Sequence, residues 1–145
     1  MKEFDIIIIG GGLSGSSTAL NLSKKGYSVL IIEKEASGSI KPGAGGMASS
    51  MKKYLPLDID ESIESKIRNV EFRWESSDNV VADLSGESPF WIIRREKLDK
   101  LLLDEAIKYG GEILRPVQVE KITQQNKDWI IKCSNKVTYK SKFLI

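Results

Sequence analysis

Three consecutive glycines lie near the start of this 145-residue chain, between a strand sequence and a helix sequence. The residues before them, Phe4–Ile9, are apolar almost throughout and rich in isoleucine, as in a strand buried on both faces of a parallel sheet. An apolar stripe after them predicts a helix over Ser14–Lys25, which Gly26 ends. Ser28–Glu33 predicts a second strand. This order indicates a right-handed βαβ unit and therefore an α/β fold with a parallel sheet.

The spacing of the glycines matches the pattern GxGxxG through Gly10, Gly12 and Gly15. In such a segment the first glycine permits the tight turn, the second lets a ligand approach the backbone, and the third allows close packing of helix on strand. The N–H groups around Leu13 and Ser14, with the positive end of the helix dipole, then face a pyrophosphate. The segment therefore predicts a dinucleotide site.

An acidic residue, Glu33, ends the second predicted strand and follows Gly15 at close to the ~20 residues that the pattern requires. Its carboxylate can accept hydrogen bonds from a ribose hydroxyl, and its charge repels a 2′-phosphate. Glycine-rich turns are common by themselves, but here strand, turn, helix and acid occur together. We therefore favour a dinucleotide site over glycines that serve packing alone.

The composition excludes several classes of site. The chain has no histidine and one cysteine, Cys133, which removes Ser-His and Cys-His nucleophile pairs, a disulfide within the chain and most zinc sites. No metal is therefore expected. The net charge of +2 is dispersed along the chain, so no nucleic-acid partner is expected either. Neither a signal peptide nor a membrane span is recognisable, which predicts a cytoplasmic protein.

The middle of the chain predicts an insertion into the α/β pattern. A segment rich in glycine and serine, residues 37–50, is typical of a flexible surface loop. Ile59, Ile63 and Ile67 recur at every fourth residue and predict a short helix. Alternating residues then predict a hairpin, with strands over Val70–Trp74 and Val80–Leu84.

The remaining residues predict one strand, one helix and a meander. The strand is Phe90–Ile93, and an apolar face through Leu98 and Ala106 marks a helix that ends at Gly110. The meander is expected to use the segments Glu112–Leu114, Val117–Thr123, Trp129–Cys133, Val137–Lys140 and Phe143–Ile145. Because the last apolar segment has no cap or turn after it, we expect the chain to be truncated at its C-terminal end.

Three segments carry a family resemblance. The first is the glycine segment continued through the pair Glu33-Lys34, which resembles the start of two-dinucleotide-binding flavoproteins. The second is Arg95-Glu96-Lys97-Leu98-Asp99 with the leucines after it, which resembles a helix of the geranylgeranyl reductase family and of the related aromatic-hydroxylase-type flavin monooxygenases. The third is Lys41-Pro42-Gly43-Ala44-Gly45-Gly46-Met47, which resembles the Lys-Pro-Cys-Gly-Gly-Gly loop of the reductases.

The resemblance implies a Rossmann-like FAD/NAD(P)-binding domain with FAD in the fingerprint site. Residues 1–145 would be the N-terminal part of that domain, and the strands within residues 70–93 would belong to the substrate-side sheet. The implied contacts to FAD come from the Arg95 guanidinium and from the bare backbone of the loop. The complete set of cofactor-binding residues is then Gly10, Gly12, Leu13, Ser14, Gly15, Glu33, Lys34, Ala44, Gly45, Gly46, Arg95 and Val119.

The implied activity is that of an FAD-dependent oxidoreductase which reduces carbon–carbon double bonds of an isoprenoid-like substrate. The chain has Gly43 where the reductase loop has its cysteine, so that departure bears on the reductase activity and leaves FAD binding untouched. A flavin-dependent monooxygenase shares every motif found here, and a non-catalytic dinucleotide-binding fragment is a third alternative. No residue can be assigned a catalytic role from the sequence.

Further expectations follow from the resemblance. NAD(P)H is compatible with the site as electron donor, and the substrate would be a small or lipid-like molecule. Such a substrate is compatible with peripheral membrane contact, although no basic amphipathic helix supports it. We expect the 145 residues alone to be inactive.

Overall fold

The fold is described from a computed structural model, for residues 1–37, 43, 45–55, 57–75, 78–83 and 89–145. The chain divides into two compact units, of which the first comprises Met1–Ile40 with Asp99–Ile145 and the second comprises Lys41–Leu98. The helices are α1 (Leu13–Lys24) and α2 (Arg95–Lys108), with short 3-10 helices at Ser49–Tyr54 and Asp60–Ser62. The strands are β1 (Lys2–Ile9), β2 (Val29–Ile32), β3 (Gly46–Ala48), β4 (Ile63–Ile67), β5 (Asn69–Trp74), β6 (Asp78–Asp83), β7 (Phe90–Ile93), β8 (Glu112–Leu114), β9 (Val119–Gln125), β10 (Asp128–Cys133) and β11 (Thr138–Leu144).

The first unit is built on a six-stranded mixed sheet in the order β8–β2–β1–β11–β10–β9. The four strands β8, β2, β1 and β11 are parallel, and β10 and β9 continue the sheet in antiparallel fashion. The βαβ unit predicted from the glycine segment is therefore confirmed as β1, α1 and β2. The central part of β1, Ile6–Ile8, and all four residues of β2 are buried, as expected for strands of a parallel sheet, whereas Ile9 at the end of β1 is exposed.

The predicted meander is present as β9, β10 and β11. It does not include Glu112–Leu114, which is β8 at the other edge of the sheet and pairs in parallel with β2, and two of its other predicted strands are one. Val137–Lys140 and Phe143–Ile145 were expected to be separate, because Ser141 and Lys142 interrupt the apolar pattern. In the structure β11 continues through both residues. Ser141 is 1% exposed and its hydroxyl donates a hydrogen bond to the carbonyl of Phe143 at 2.8 Å, so the polar side chain is accommodated within the strand.

The core of the first unit contains the one cysteine. Cys133 is 2% exposed and packs with Ile7, Leu30, Ile131 and other apolar residues of the central strands. Burial raises the pKa of its thiol. The residue is a small hydrophobic core side chain, as its position in an apolar strand predicts.

The second unit contains a three-stranded antiparallel sheet, β3–β7–β4, and a separate hairpin, β5–β6. The hairpin and the strand at Phe90–Ile93 are confirmed. The prediction of a flexible loop over residues 37–50 is wrong for Gly46–Ala48, which pair with β7 as a strand. Residues 38–42 and Ala44 of that segment lie outside the described part of the chain.

The predicted short helix through Ile59, Ile63 and Ile67 is wrong. Ile63–Ile67 is strand β4, and only the three residues Asp60–Ser62 before it form a 3-10 helix. A spacing of four residues is also two periods of a strand, so it places Ile63 and Ile67 on one face in either conformation. The segment is a strand because it pairs with β7, and the local sequence pattern carries no sign of that partner.

The three tryptophans differ in burial. Trp91 of β7 is 8% exposed and Trp129 of β10 is half-buried. Trp74 of β5 is 72% exposed, so its side chain is not part of the core in the described part of the chain.

In the described part of the chain, neither helix has the length and apolar character needed to cross a membrane.

Candidate dinucleotide site

The turn between β1 and α1 requires its first glycine. Gly10 has φ of +110°, a conformation that residues with a side chain rarely adopt. Its N–H donates a hydrogen bond to the carbonyl of Ile32 at 2.8 Å, which ties the turn to the end of β2. Helix α1 then begins at Leu13, three residues after Gly10.

The third glycine of the pattern brings the helix close to the strand. A Cβ on Gly15 would collide with the backbone carbonyl of Gly10 and would lie 3.3 Å from Cγ2 of Ile8. A methyl group at this position cannot be accommodated unless α1 moves away from β1. The close approach predicted for Gly15 is therefore confirmed, and it fixes the position of the N-terminus of α1 over the turn.

At the N-terminus of α1, the N-cap residue makes no side-chain hydrogen bond to the first backbone N–H groups of the helix. Gly12 is the N-cap and has no side chain to cap the helix, and the first turn, from Leu13 through Gly15, contains no acidic residue. Ser16, which is fully buried, donates its hydroxyl hydrogen back to the carbonyl of Gly12 at 2.8 Å. The first N–H groups of a helix lack partners within the helix and carry the positive end of its dipole. This arrangement suits a phosphate group.

The carboxylate of Glu33 lies against the glycine turn and is only 7% exposed. Its Oε2 accepts a hydrogen bond from the N–H of Gly11 at 2.8 Å, and its Oε1 accepts one from the N–H of Glu35 at 2.9 Å. A Cβ on Gly11 would lie 3.3 Å from both Cβ and Oε2 of Glu33. The second of the three consecutive glycines therefore has a role that the pattern GxGxxG does not assign. The signal was the presence of glycine at a position that the pattern leaves free.

The backbone of Glu33 is held by the segment that follows β8. The N–H of Glu33 donates to the carbonyl of Leu114, and the N–H of Val117 donates to the carbonyl of Glu33, each at 2.9 Å. Val119 begins β9, opposite Cys133, and is half-buried against the core. Leu114 and Val117 are thus bonded directly to the backbone of Glu33, and sequence reasoning selected neither. Lys34 is exposed.

The other predicted site residues lie in the second unit. Gly45 has φ of +70°, and its carbonyl accepts a hydrogen bond from the N–H of Ile93 at 2.8 Å. Gly46 pairs with Ile92 in the β3–β7 ladder. Arg95 is the first residue of α2 and is half-buried. Ala44, which was predicted to lie beside them, is outside the described residues.

The structure therefore groups the predicted residues into two sets. The first unit holds the glycine turn with Glu33 and Lys34, and it holds Val119 as well. The second unit holds Gly45, Gly46 and Arg95. No group of three or more metal-ligating side chains occurs among the residues that the structure describes.

The first set fits the adenosine and phosphate part of a dinucleotide. A helix N-terminus with a bare glycine approach is available for phosphates, and an acceptor carboxylate is fixed beside it by two backbone N–H groups. A carboxylate can accept several hydrogen bonds, and a ribose hydroxyl is a donor of the kind it accepts.

The sequence of the chain matches one family model and several curated relatives. The family model described as FAD dependent oxidoreductase matches residues 5–89. An uncharacterized protein of Methanosarcina barkeri is 30% identical over 146 residues, which cover 100% of this chain and 37% of the relative. Protein FixC of Salmonella typhi is 29% identical over 133 residues, which cover 85% of this chain and 31% of the relative. The chain spans about a third of the length of these curated relatives.

Solved structures share the fold. A geranylgeranyl bacteriochlorophyll reductase-like protein from Thermoplasma acidophilum superposes with a TM-score of 0.84 at 19% identity, over 99% of this chain and 38% of that one. The p-nitrophenol 4-monooxygenase PnpA of Pseudomonas putida gives 0.83 at 19% identity, over 99% and 40%. The halogenase PltM in complex with phloroglucinol and FAD gives 0.78 at 22% identity, over 97% and 33%. The predicted α/β Rossmann-like fold is thereby confirmed.

The family model extends over more than half of the chain and includes the glycine turn, α1 and Glu33. The geometry of that turn agrees with the family match. The N–H groups at the N-terminus of α1 and the fixed carboxylate are the features that FAD requires of a Rossmann-like site. The chain belongs to the FAD-dependent oxidoreductase family.

Proposed function

We propose that the protein to which this chain belongs uses FAD to reduce carbon–carbon double bonds of an isoprenoid-like substrate. The observation that carries FAD binding is the Glu33 carboxylate, which is fixed on the glycine turn beside the N-terminus of α1. The substrate class is supported by the resemblance of the Lys41–Met47 loop and of the Arg95 helix to the geranylgeranyl reductase family. The structural similarity to the reductase-like protein of Thermoplasma acidophilum supports it further.

In this proposal FAD supplies the redox chemistry by carrying a hydride between donor and substrate. The residues of this chain bind and orient it. Glu33 holds the adenosine ribose, while Leu13 and Ser14 at the start of α1 offer N–H groups to the phosphates. Arg95 contributes a permanently charged, planar donor for phosphate oxygens.

The remaining predicted site residues complete the proposal. Ala44, Gly45 and Gly46 bring bare backbone to the flavin, Val119 presents its backbone to the adenine edge, and Lys34 extends the motif after Glu33. The strands within residues 70–93 belong to the substrate-side sheet, and NAD(P)H is the electron donor. The substrate is small or lipid-like and the protein works in the cytoplasm, where peripheral contact with a membrane is compatible with a lipid substrate.

The first test is purification of the whole protein from the intact gene. We expect a yellow protein with flavin absorbance bands and a stoichiometric release of FAD on denaturation. A matched variant, Glu33→Ala, should retain its fold by circular dichroism and lose most of the bound flavin. A colourless wild-type protein that also fails to bind added FAD would overturn the proposal.

The second test concerns the reaction. With NAD(P)H and an isoprenoid substrate under anaerobic conditions, we expect a product heavier by two hydrogens for each NAD(P)H oxidised, as followed by mass spectrometry. A saturated analogue of the same substrate is the control. NAD(P)H oxidation that requires the double bond supports the reductase, and oxidation that is indifferent to it contradicts the reductase.

A flavin-dependent monooxygenase is the alternative that two observations favour. The chain has Gly43 where the reductase loop has a cysteine, and its fold matches PnpA with a TM-score of 0.83. In that case oxygen should be consumed in proportion to substrate and NAD(P)H, and turnover should stop when oxygen is removed. A protein that binds FAD but transfers no electrons would instead be a non-catalytic dinucleotide-binding protein.

A further inference from the structure

The glycine loop of the second unit continues the ladder between β3 and β7 beyond the end of the strands. Gly46 pairs with Ile92, and the next residue back, Gly45, is bonded to Ile93, whose N–H donates to the Gly45 carbonyl at 2.8 Å. Gly45 is therefore held against the last residue of β7, two residues before Arg95 at the start of α2.

Gly43, two residues before Gly45, lies against the side chain of Arg95. A Cβ built on Gly43 would lie 2.9 Å from Nη1 of Arg95, which is closer than real Cβ contacts allow. The guanidinium thus occupies the space in which a side chain at position 43 would begin. Because this atom is the end of a flexible side chain, a substitution at Gly43 would displace the guanidinium more readily than the backbone of α2.

The neighbouring arginine shows that this placement is specific to Arg95. Arg94 is exposed, and its Nη2 forms an ion pair with Oε1 of Glu64 on β4 at 2.8 Å. Arg95 is half-buried and its guanidinium lies against Gly43. Two adjacent side chains of the same type are therefore directed to different partners by the sheet on one side and the loop on the other.

We propose that Gly43 is a positioning residue for Arg95. The missing side chain at position 43 sets the orientation of the guanidinium and thereby the strength with which Arg95 binds phosphate oxygens of the cofactor. This inference rests on the proposed function, in which Arg95 binds FAD. It assigns to Gly43 a role that conformational freedom alone does not describe, although its φ of +152° also disfavours a side chain.

The test is a double-mutant cycle in the whole protein with Gly43→Ala, Arg95→Ala and the pair combined. The FAD dissociation constant is measured by quenching of flavin fluorescence, and the unfolding midpoint is measured without FAD. We expect each single variant to weaken FAD binding about tenfold, which is the order of one charge-assisted hydrogen bond. The combined variant should bind no more weakly than Arg95→Ala, because the methyl group then has no guanidinium to displace.

Two controls separate positioning from strain and from charge. Gly110 also has positive φ, +89°, but a Cβ there would meet nothing within 4 Å, so Gly110→Ala introduces backbone strain without a displaced arginine. Arg94→Ala removes one positive charge beside Arg95. Both controls should leave the FAD dissociation constant within about twofold of the wild type, while Gly110→Ala lowers the unfolding midpoint.

Effects on FAD binding that multiply in the combined variant would contradict the positioning role, as would a Gly43→Ala protein that binds FAD like the wild type. If Gly43→Ala alone does not fold, recovery of folding in the combined variant supports the contact, and its absence contradicts it. A wild-type protein that binds no FAD overturns the proposed function and the inference together. The unfolding midpoints of the cycle then show whether Gly43 and Arg95 are coupled at all.

Discussion

At the scale of single residues, the Glu33 carboxylate connects the fold to the chemistry of the site. It is nearly buried, yet it is a charged group, and two backbone N–H groups offset the cost of removing it from water. One of these donors belongs to Gly11, which lies in the turn itself. The same carboxylate therefore shapes the turn and, in the proposed function, binds the cofactor.

Replacement of Glu33 by glutamine should affect both roles. The amide keeps the size of the side chain but loses one acceptor oxygen, so one of the two N–H groups is left without a partner. We expect a loss of about 1–3 kcal/mol in the free energy of unfolding and about tenfold weaker FAD binding. Urea denaturation and FAD titration measure the two effects. Glu35→Gln, at an exposed neighbouring residue, is the control and should change neither.

A methyl group at Gly15 tests the close packing of α1 on β1. Gly15→Ala places its Cβ against the carbonyl of Gly10 and should destabilise the chain by about 1–3 kcal/mol. Ser14→Ala changes an exposed position of the same helical turn and serves as the control. Thermal unfolding of both variants checks the expectation. Equal midpoints for the two variants would show that α1 moves without cost.

At the scale of elements, a polar cluster joins the start of β1 to its two neighbours. Asp5 accepts hydrogen bonds from the N–H and the hydroxyl of Ser28, which precedes β2, and from the ammonium group of Lys142 on β11 at 2.9 Å. The Lys142 hydrogen bond and those from Ser28 lower the pKa of Asp5 from 3.8 to about 2. The cluster therefore stabilises the sheet only while Asp5 is ionised.

This shift predicts the direction of a pH effect. Because the pKa of Asp5 is lower in the folded chain, its contribution is complete above the unfolded pKa of 3.8 and is lost as the pH falls towards about 2. The difference in unfolding free energy between the wild type and Asp5→Asn should be constant at neutral pH and should shrink between pH 4 and pH 2. Urea denaturation over that range measures it. Lys142→Gln should narrow the range by raising the pKa of Asp5.

Two tryptophans of the second unit should respond differently to truncation. Trp91 of β7 is 8% exposed, so Trp91→Ala should cost about 3–5 kcal/mol of unfolding free energy. Trp74 of β5 is 72% exposed, so Trp74→Ala should stay within about 0.5 kcal/mol in the 145-residue chain. Urea denaturation of both variants measures the two losses of unfolding free energy. A large cost at Trp74 would mean that the side chain is covered.

The elements that were predicted from the sequence are those whose signals are local. Examples are the apolar run of Phe4–Ile9, the glycines after it and the glycine at the end of α2. Each of these signals lies in the residues next to the element boundary that it marks. Strands β3 and β4 escaped prediction because their partner, β7, is distant in sequence and supplies the pairing that defines them. The hydrogen bond from Gly11 to Glu33 joins residues with no common pattern, so it also required the structure.

At the scale of the whole molecule, the chain spans about a third of the length of its curated relatives. The first unit contains the turn and the carboxylate for a dinucleotide, and the second contains the glycine loop and Arg95. We expect the 145 residues alone to oxidise no NAD(P)H in the presence of FAD, whereas the whole protein does so with substrate. Parallel assays at equal concentration measure this, and turnover by the isolated chain would contradict it.

The single cysteine of the 145 residues makes the opening of the sheet around it measurable. Cys133 lies at the end of β10, beside β9, and is 2% exposed, so a thiol-reactive dye can label it only when the strands around it open. With no second thiol in the 145 residues, each labelling event reports the same motion. The rate of dye incorporation, compared with and without added FAD, therefore tests whether FAD slows the opening of the first unit.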